Sequence, residues 1–197
     1  MPRLRRNADV DPVLVMKTLV LGGARSGKSA FAENCARESG RSVTCVVTAT
    51  AGDDEMAQRI TVHRARRPAD WRTVEESFAL AKTLERLATP QSCIIVDCLT
   101  LWLSNLLFPQ SLPGAVNREA LHYETERDAL LECMPRLPGQ VIFVANEVGL
   151  GIVPLGADTR RFCDEAGRLN QAIAARCDRV VFLAAGLPLT LKSPALA

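Results

Sequence analysis

Gly22-Gly23-Ala24-Arg25-Ser26-Gly27-Lys28-Ser29 follows the apolar run Thr18-Leu19-Val20-Leu21 and precedes a helical stretch, Ala30 to Glu38; its reading decides the fold. The spacing is that of a phosphate-binding P-loop, and it stands between a strand and a helix as that motif requires. Gly22 and Gly27 let the backbone turn its N–H groups inward around phosphates. Lys28 supplies a point charge to the β and γ groups, and Ser29 offers a hydroxyl to Mg²⁺. The N-terminus of the helix that follows presents its positive dipole end to the same anion. The alternative is a Gly-rich turn that merely closes a strand-helix unit. The strand before it and the helix after it favour nucleoside polyphosphate binding.

Outward from this loop, short apolar runs alternate with helical patterns. Strands are expected at 17–21, 42–48, 92–97, 140–145 and 179–184, the last paired with 187–192. Several are apolar without alternation, as in a mainly parallel sheet buried on both faces. Phe162, Ala166, Leu169, Ile173 and Cys177 recur every three or four residues and predict a helix over 159–177. A charged helix is expected over 117–136. Leu137-Pro138-Gly139 and the Pro/Ser/Gly-rich stretch 108–114 mark turns. No repeat or linker divides the chain, so the fold class is α/β, a single doubly wound domain with helices flanking a mainly parallel sheet.

The composition agrees and excludes other classes. The chain has 197 residues, 48% of them hydrophobic and 23% charged, enough for one domain with a sizeable core. A net charge of +2 gives no electrostatic footprint for nucleic acid. No apolar run approaches the roughly 18 residues that suggest a membrane span. Seven cysteines without a CxxC pair point to a reducing cytoplasm rather than a zinc site. Residues 1–16 are expected to form a short tail, neither signal peptide nor core, with the domain over 17–197.

In such a sheet, ligands gather beyond the carboxyl ends of the strands. Asp97 ends the run Cys93-Ile94-Ile95-Val96, the place of a carboxylate that holds Mg²⁺ directly or through water; the alternative is a strand-ending Asp in a turn, and the P-loop upstream favours the metal role. Thr48-Ala49-Thr50 follows the second strand, and Asn146-Glu147-Val148-Gly149 follows the fourth. Which of Asn146, Glu147, Arg168 and Asn170 faces a ligand stays open.

Arg59, His63, Arg64, Arg66, Arg67 and Arg72 crowd one segment against the single carboxylate Asp70. Guanidinium groups bind phosphates bidentately, so the cluster could hold a second polyphosphate or the phosphate chain of a covalent intermediate. The alternative is a solvated basic helix face. Met56, Ile60 and His63 share helical spacing, so His63 also reads as packing at the edge of an apolar stripe. His122 has no functional context.

These motifs fall together with Asp53-Asp54-Glu55-Met56, Arg67-Pro68, Trp71-Arg72-Thr73, Gly151-Ile152-Val153-Pro154 and Ala166-Gly167-Arg168-Leu169-Asn170-Gln171, in order. From about Lys17 to Lys192 the chain resembles the bifunctional adenosylcobinamide kinase / adenosylcobinamide-phosphate guanylyltransferase family of cobalamin biosynthesis. The resemblance implies a RecA-like P-loop NTPase fold, a homotrimer and two reactions. A nucleoside triphosphate, ATP or GTP, phosphorylates the aminopropanol hydroxyl of adenosylcobinamide. GTP then gives GMP to a histidine, matched by His63, and the phosphorylated corrinoid takes it to form adenosylcobinamide-GDP. The implied nucleotide contacts are Gly22, Gly23, Ala24, Arg25, Ser26, Gly27, Lys28, Ser29, Val47, Thr48, Ala49, Thr50, Arg64, Ala65, Arg66, Arg67, Glu75 and Asp97. Ser29 and Asp97 are the metal candidates, and Glu75, Glu147 and Asp97 the candidate bases of the kinase step. The rival functions are another small-molecule P-loop kinase, in which His63 is never modified, and a nucleotide-dependent switch. An Asn-Lys-x-Asp guanine-reading motif, expected of a GTPase switch, is absent from the sequence.

Overall fold

The computed structural model describes residues 15–49, 68–109 and 122–194. Strand β1 (Met16–Gly22) leads through the P-loop into helix α1 (Lys28–Glu38), then β2 (Ser42–Val47) and β3 (Arg72–Glu75). Helix α2 (Leu80–Leu87), β4 (Ser92–Asp97), α3 (Leu99–Leu107), α4 (Tyr123–Cys133) and β5 (Gln140–Asn146) follow. Helix α5 (Ala157–Arg176) and the hairpin β6 (Arg179–Ala184) and β7 (Leu187–Lys192) complete the described order. The seven-stranded sheet runs β3-β2-β4-β5-β1-β6-β7, with every pair parallel except β6–β7. This is the α/β, mainly parallel architecture read from the sequence.

Alternate side chains of the central strands enter two separate cores, which is why these strands are apolar throughout. On one face Val20, Cys45, Ile95, Ile142 and Val144 pack with Ala32 and Ala36 of α1. On the other, Leu19, Leu21, Val46, Ile94, Val96 and Phe143 meet residues of α2, α3, α4 and α5, including the fully buried Trp102. A helix on each face makes the sheet rigid, so the loops at its carboxyl edge hang from a fixed frame.

The expected strands form, with ends that shift by a residue in places. Strand β3 was not expected: Arg72-Thr73-Val74-Glu75 is short, half-exposed and flanked by charge, and it forms because it pairs with β2 at Thr44 to Val47. The helix expected over 117–136 is described from Tyr123 and stops at Cys133, where Met134–Arg136 continues as a single 3₁₀ turn. Pro135 lacks the N–H that an α-helix needs there. Hairpin β6–β7 turns at Ala185 and Gly186, whose φ angles of 51° and 80° suit the primed turn that matches strand twist. Among the described residues no helix is long and apolar enough to cross a membrane.

Candidate nucleotide site

The P-loop leaves β1 at Gly22, between the ends of β5 and β6. A Cβ added to Gly22 would lie 2.5 Å from Ser26 Oγ and 2.6 Å from the Leu183 carbonyl oxygen, so only glycine fits. Gly27 has φ 96°, the left-handed region that glycine adopts without penalty, and Arg25 at φ 57° forms the exposed crest. Helix α1 begins at Lys28 with no side-chain cap and no acidic residue in its first turn. Its leading N–H groups and its positive dipole end are therefore neither capped nor neutralised, which suits an anion.

Lys28 is only 8% exposed, and its Nζ donates to the Gly23 carbonyl oxygen at 2.9 Å, across the mouth of the loop. Burial lowers the amine's pKa from the ordinary 10.5, a shift partly opposed by Cys98 and Asp97. Ser26 Oγ is buried and has no hydrogen-bond partner.

Register places the carboxyl ends of the strands in a row. Glu75 of β3 aligns with Val47 of β2, Val47 with Asp97 of β4, and Gly22 of β1 with Asn146 on one side and Leu183 on the other. Beneath α1 a small pocket is lined by Ser29, Glu33, Cys45, Ile95, Asp97 and Val144. The serine that ends the P-loop motif and the aspartate that ends β4 thus meet at one place, although 68 residues separate them in the chain. Hard oxygen donors beside a phosphate loop fit a divalent cation such as Mg²⁺, which keeps several waters and takes few protein ligands.

A second tier of hydrogen bonds braces this edge. Thr48 Oγ1 donates to the Cys98 carbonyl oxygen at 2.7 Å and accepts from the Cys98 N–H at 2.9 Å. Asn105 Nδ2 donates to the carbonyl oxygens of Thr48 and Ser77. The Glu147 N–H donates to the Gly22 carbonyl oxygen at 3.0 Å, and the Asn146 N–H to Thr100 Oγ1 at 2.7 Å. Glu76 braces the turn that leads into α2, accepting the N–H groups of Phe78 and Ala79.

Of the residues singled out in the sequence, the structure gathers Gly22 to Ser29, Val47, Thr48, Ala49, Glu75 and Asp97 along one edge. Thr48 spends its hydroxyl on Cys98. Of the four residues left open beyond the fourth strand, Asn170 is buried, its Nδ2 3.5 Å from the Asn146 carbonyl oxygen, while exposed Arg168 pairs with Glu165 on its own helix. Glu147 accepts the Gly149 N–H. Thr50, His63, Arg64, Ala65, Arg66 and Arg67 lie outside the described residues, as do residues 1–14 of the expected tail. Two contributors were missed: Glu33, whose spacing of four from Ser29 was a readable signal, and Gly186, whose role depends on a contact made across the fold.

The loop, the row of strand ends and the sheet order define a RecA-like P-loop NTPase. The structures it resembles agree on that fold alone. An ATPase from the type III secretion system of pathogenic bacteria superposes with a TM-score of 0.52 at 10% identity, covering 89% of this chain and 56% of that one. A protein of Pyrococcus horikoshii OT3 gives 0.50 at 11% identity, covering 90% and 86%.

Within that class, residues 18–191 match the family described as cobinamide kinase / cobinamide phosphate guanyltransferase, and the chain belongs to it. The bifunctional adenosylcobalamin biosynthesis protein CobP of Pseudomonas aeruginosa is 57% identical over 184 residues, 92% of this chain and 100% of the relative. CobU of Escherichia coli, of the same description, is 38% identical over 90% of this chain and 100% of its own length.

Proposed function

We propose that the chain phosphorylates the aminopropanol hydroxyl of adenosylcobinamide and then guanylylates the product. The observation that carries this reading is the P-loop whose Ser29 shares a pocket with Asp97, within a chain matched almost end to end by the family. In the kinase step the acceptor oxygen attacks the γ-phosphorus of ATP or GTP, and the nucleoside diphosphate leaves. The N–H groups of Gly23 to Lys28 and the Lys28 ammonium receive the charge on the transferring group. In the second step a neutral imidazole nitrogen of His63 attacks the α-phosphorus of GTP and pyrophosphate leaves. The phosphate of the phosphorylated corrinoid then attacks the same phosphorus, giving adenosylcobinamide-GDP and free His63.

Arg64, Arg66 and Arg67 bring positive charge for the departing pyrophosphate, while Val47, Thr48, Ala49, Thr50, Ala65 and Glu75 complete the proposed nucleotide contacts. Ser29 and Asp97 would hold Mg²⁺, which when bound neutralises phosphate charge. Glu75, Glu147 and Asp97 are the carboxylates available to accept the hydroxyl proton, and a loose transition state asks little of them. Residues 17–197 form the catalytic domain in this reading, with 1–16 as a tail. Seven cysteines, none of them in a disulfide, suit a cytoplasmic enzyme. A homotrimer would have the exposed Leu187, Leu189 and Leu191 of β7 available to bury.

The test is the intact mass of the protein after incubation with Mg²⁺ and GTP, or Mg²⁺ and ATP, beside a His63→Ala control. Gain of one GMP from GTP alone, absent in the variant, is the expected result. No adduct with either nucleotide would return the chain to a kinase or a switch, with His63 as a packing residue.

A further inference from the structure

Val148-Gly149-Leu150-Gly151-Ile152-Val153-Pro154-Leu155-Gly156-Ala157 leads from β5 into α5 and carries no charged or hydrogen-bonding side chain. Val148 packs against the core, but beyond it the run turns outward: Leu150 is 81% exposed, Ile152 97%, Val153 73% and Leu155 98%. Single exposed aliphatic residues need no explanation, whereas several crowded into one short loop form a patch suited to a ligand or partner. The loop is also held in place. The Arg160 guanidinium donates to the carbonyl oxygens of Pro154, at 3.0 Å, and of Leu155. The Gly149 N–H donates to Glu147 Oε1 at 2.6 Å, and Pro154 fixes its own φ. A braced backbone that turns aliphatic side chains to solvent is a preformed binding surface.

Its place in the fold says what it binds. Strand β5 ends at Asn146 in register with Gly22, and the Glu147 N–H donates to the Gly22 carbonyl oxygen at 3.0 Å. The patch therefore begins one short step along the chain from a direct hydrogen bond to the phosphate loop. An acceptor hydroxyl must come to roughly 3–3.5 Å from the γ-phosphorus for in-line transfer, so the body of the acceptor has to rest on surfaces that adjoin that loop. A run without charge offers nothing to a polyphosphate, but it suits a broad organic ring fringed with methyl groups. A stable subunit contact commonly takes roughly 20–30 residues a side, far more than this loop supplies, whereas a small-molecule site takes few.

We propose that Leu150, Ile152, Val153 and Leu155 form the acceptor platform: they bear the corrin ring of adenosylcobinamide and leave its aminopropanol arm free to reach the P-loop. The inference rests on the kinase and guanylyltransferase reading and adds to it the residues that hold the acceptor. The product of the first step keeps the same ring, so one platform serves both steps. Nucleotide affinity does not depend on it.

The test is equilibrium dialysis of adenosylcobinamide against GDP-loaded protein, read by the corrinoid's visible absorbance, together with kinase kinetics. Ile152→Ser and Leu155→Ser change side chains that are almost wholly exposed, so the fold should stand. Each should weaken corrinoid binding and raise the corrinoid KM by about tenfold, the order expected for one aliphatic side chain that a ligand buries. The kcat at saturation, GDP affinity and GMP labelling of the protein by GTP should not change. Ile152→Val, which keeps the apolar surface, should retain most of the corrinoid affinity. A matching loss of GDP affinity or of GMP labelling overturns the inference and makes the loop a support for the rest of the chain. A fall in oligomer mass by sedimentation in the Ser variants also overturns it, and assigns the patch to a second copy. Wild-type protein that takes GMP from GTP yet binds no adenosylcobinamide overturns the inference together with the acceptor assignment beneath it. Wild-type binding of the corrinoid with both Ser variants indifferent overturns the inference alone.

Discussion

Gly186, in the turn between the last two strands, donates its backbone N–H to the carbonyl oxygen of Ser26 at 2.9 Å. The phosphate loop is thus held from below by a hairpin more than 150 residues away in the chain, and the approach is close: a Cβ on Gly27 would lie 3.2 Å from the Gly186 Cα. Gly27→Ala meets that contact and also forces alanine to φ 96°. Such strain costs on the order of 1–3 kcal/mol, and the loop is expected to relieve it by moving its N–H groups off the phosphates. Calorimetry should show GTP and ATP affinity falling together by about tenfold or more, at 1.4 kcal/mol per decade, with the melting temperature shifted little. Unchanged affinity would mean that the hairpin does not govern the loop's shape.

Thr48 seals the junction of β2 and β4. Its fully buried hydroxyl both donates to and accepts from the backbone of Cys98. Thr48→Val keeps the shape and orphans the Cys98 N–H, while the Cys98 carbonyl oxygen keeps the Trp102 N–H, and a buried unsatisfied polar group costs about 1–3 kcal/mol. Urea unfolding should show a loss in that range, and Thr48→Ser, which keeps the hydroxyl, should recover most of it. Equal stability of the Ser and Val variants would assign the effect to the lost methyl instead.

The sequence disclosed the parts of the site that are local. Gly22 to Ser29 carries its own geometry, and the apolar runs of the central strands follow from burial on both faces, so loop and sheet were legible together. Asp97 could be found because it directly ends such a run. Strand β3 could not, since four half-exposed residues become a strand only by pairing with β2. The contact of Gly186 with the P-loop and the bracing of Cys98 by Thr48 were equally hidden. They join segments whose proximity is set by strand order, and strand order is not written in any one segment.

Lys28 gives the site a pH dependence. Burial holds its amine below the usual 10.5, so the free protein begins to lose this proton on the acid side of that value. A bound polyphosphate favours the charged ammonium and raises the pKa again. Binding in this alkaline range must therefore take up a proton, and affinity must fall as pH rises through the lowered pKa. Calorimetry in two buffers of different ionisation enthalpy measures the uptake directly. Lys28→Met should abolish it; uptake that persists in the variant would assign the proton to another group.

The buried thiols set the alkaline limit of stability. Burial, with Asp178 beside it, pushes Cys177 up to about 12, against the opposing influence of Lys192 and Lys17. Burial likewise raises Cys93, Cys98 and Cys133 to about 11, from an ordinary 9.0. A thiol whose folded pKa is raised contributes stability that is complete below the unfolded value and is lost as pH climbs toward the folded one. Stability should therefore decline from about pH 9 upward, because the unfolded chain ionises first. Urea midpoints at about pH 8 and about pH 10 should separate for the wild-type protein, and the gap should narrow in Cys177→Ala, which has one fewer such thiol. The variant also gives up a buried sulfur contact, so its midpoint at the lower pH serves as its own reference. An undiminished gap would show that Cys177 ionises alike in the folded and unfolded chains, and that its burial is not felt by the thiolate.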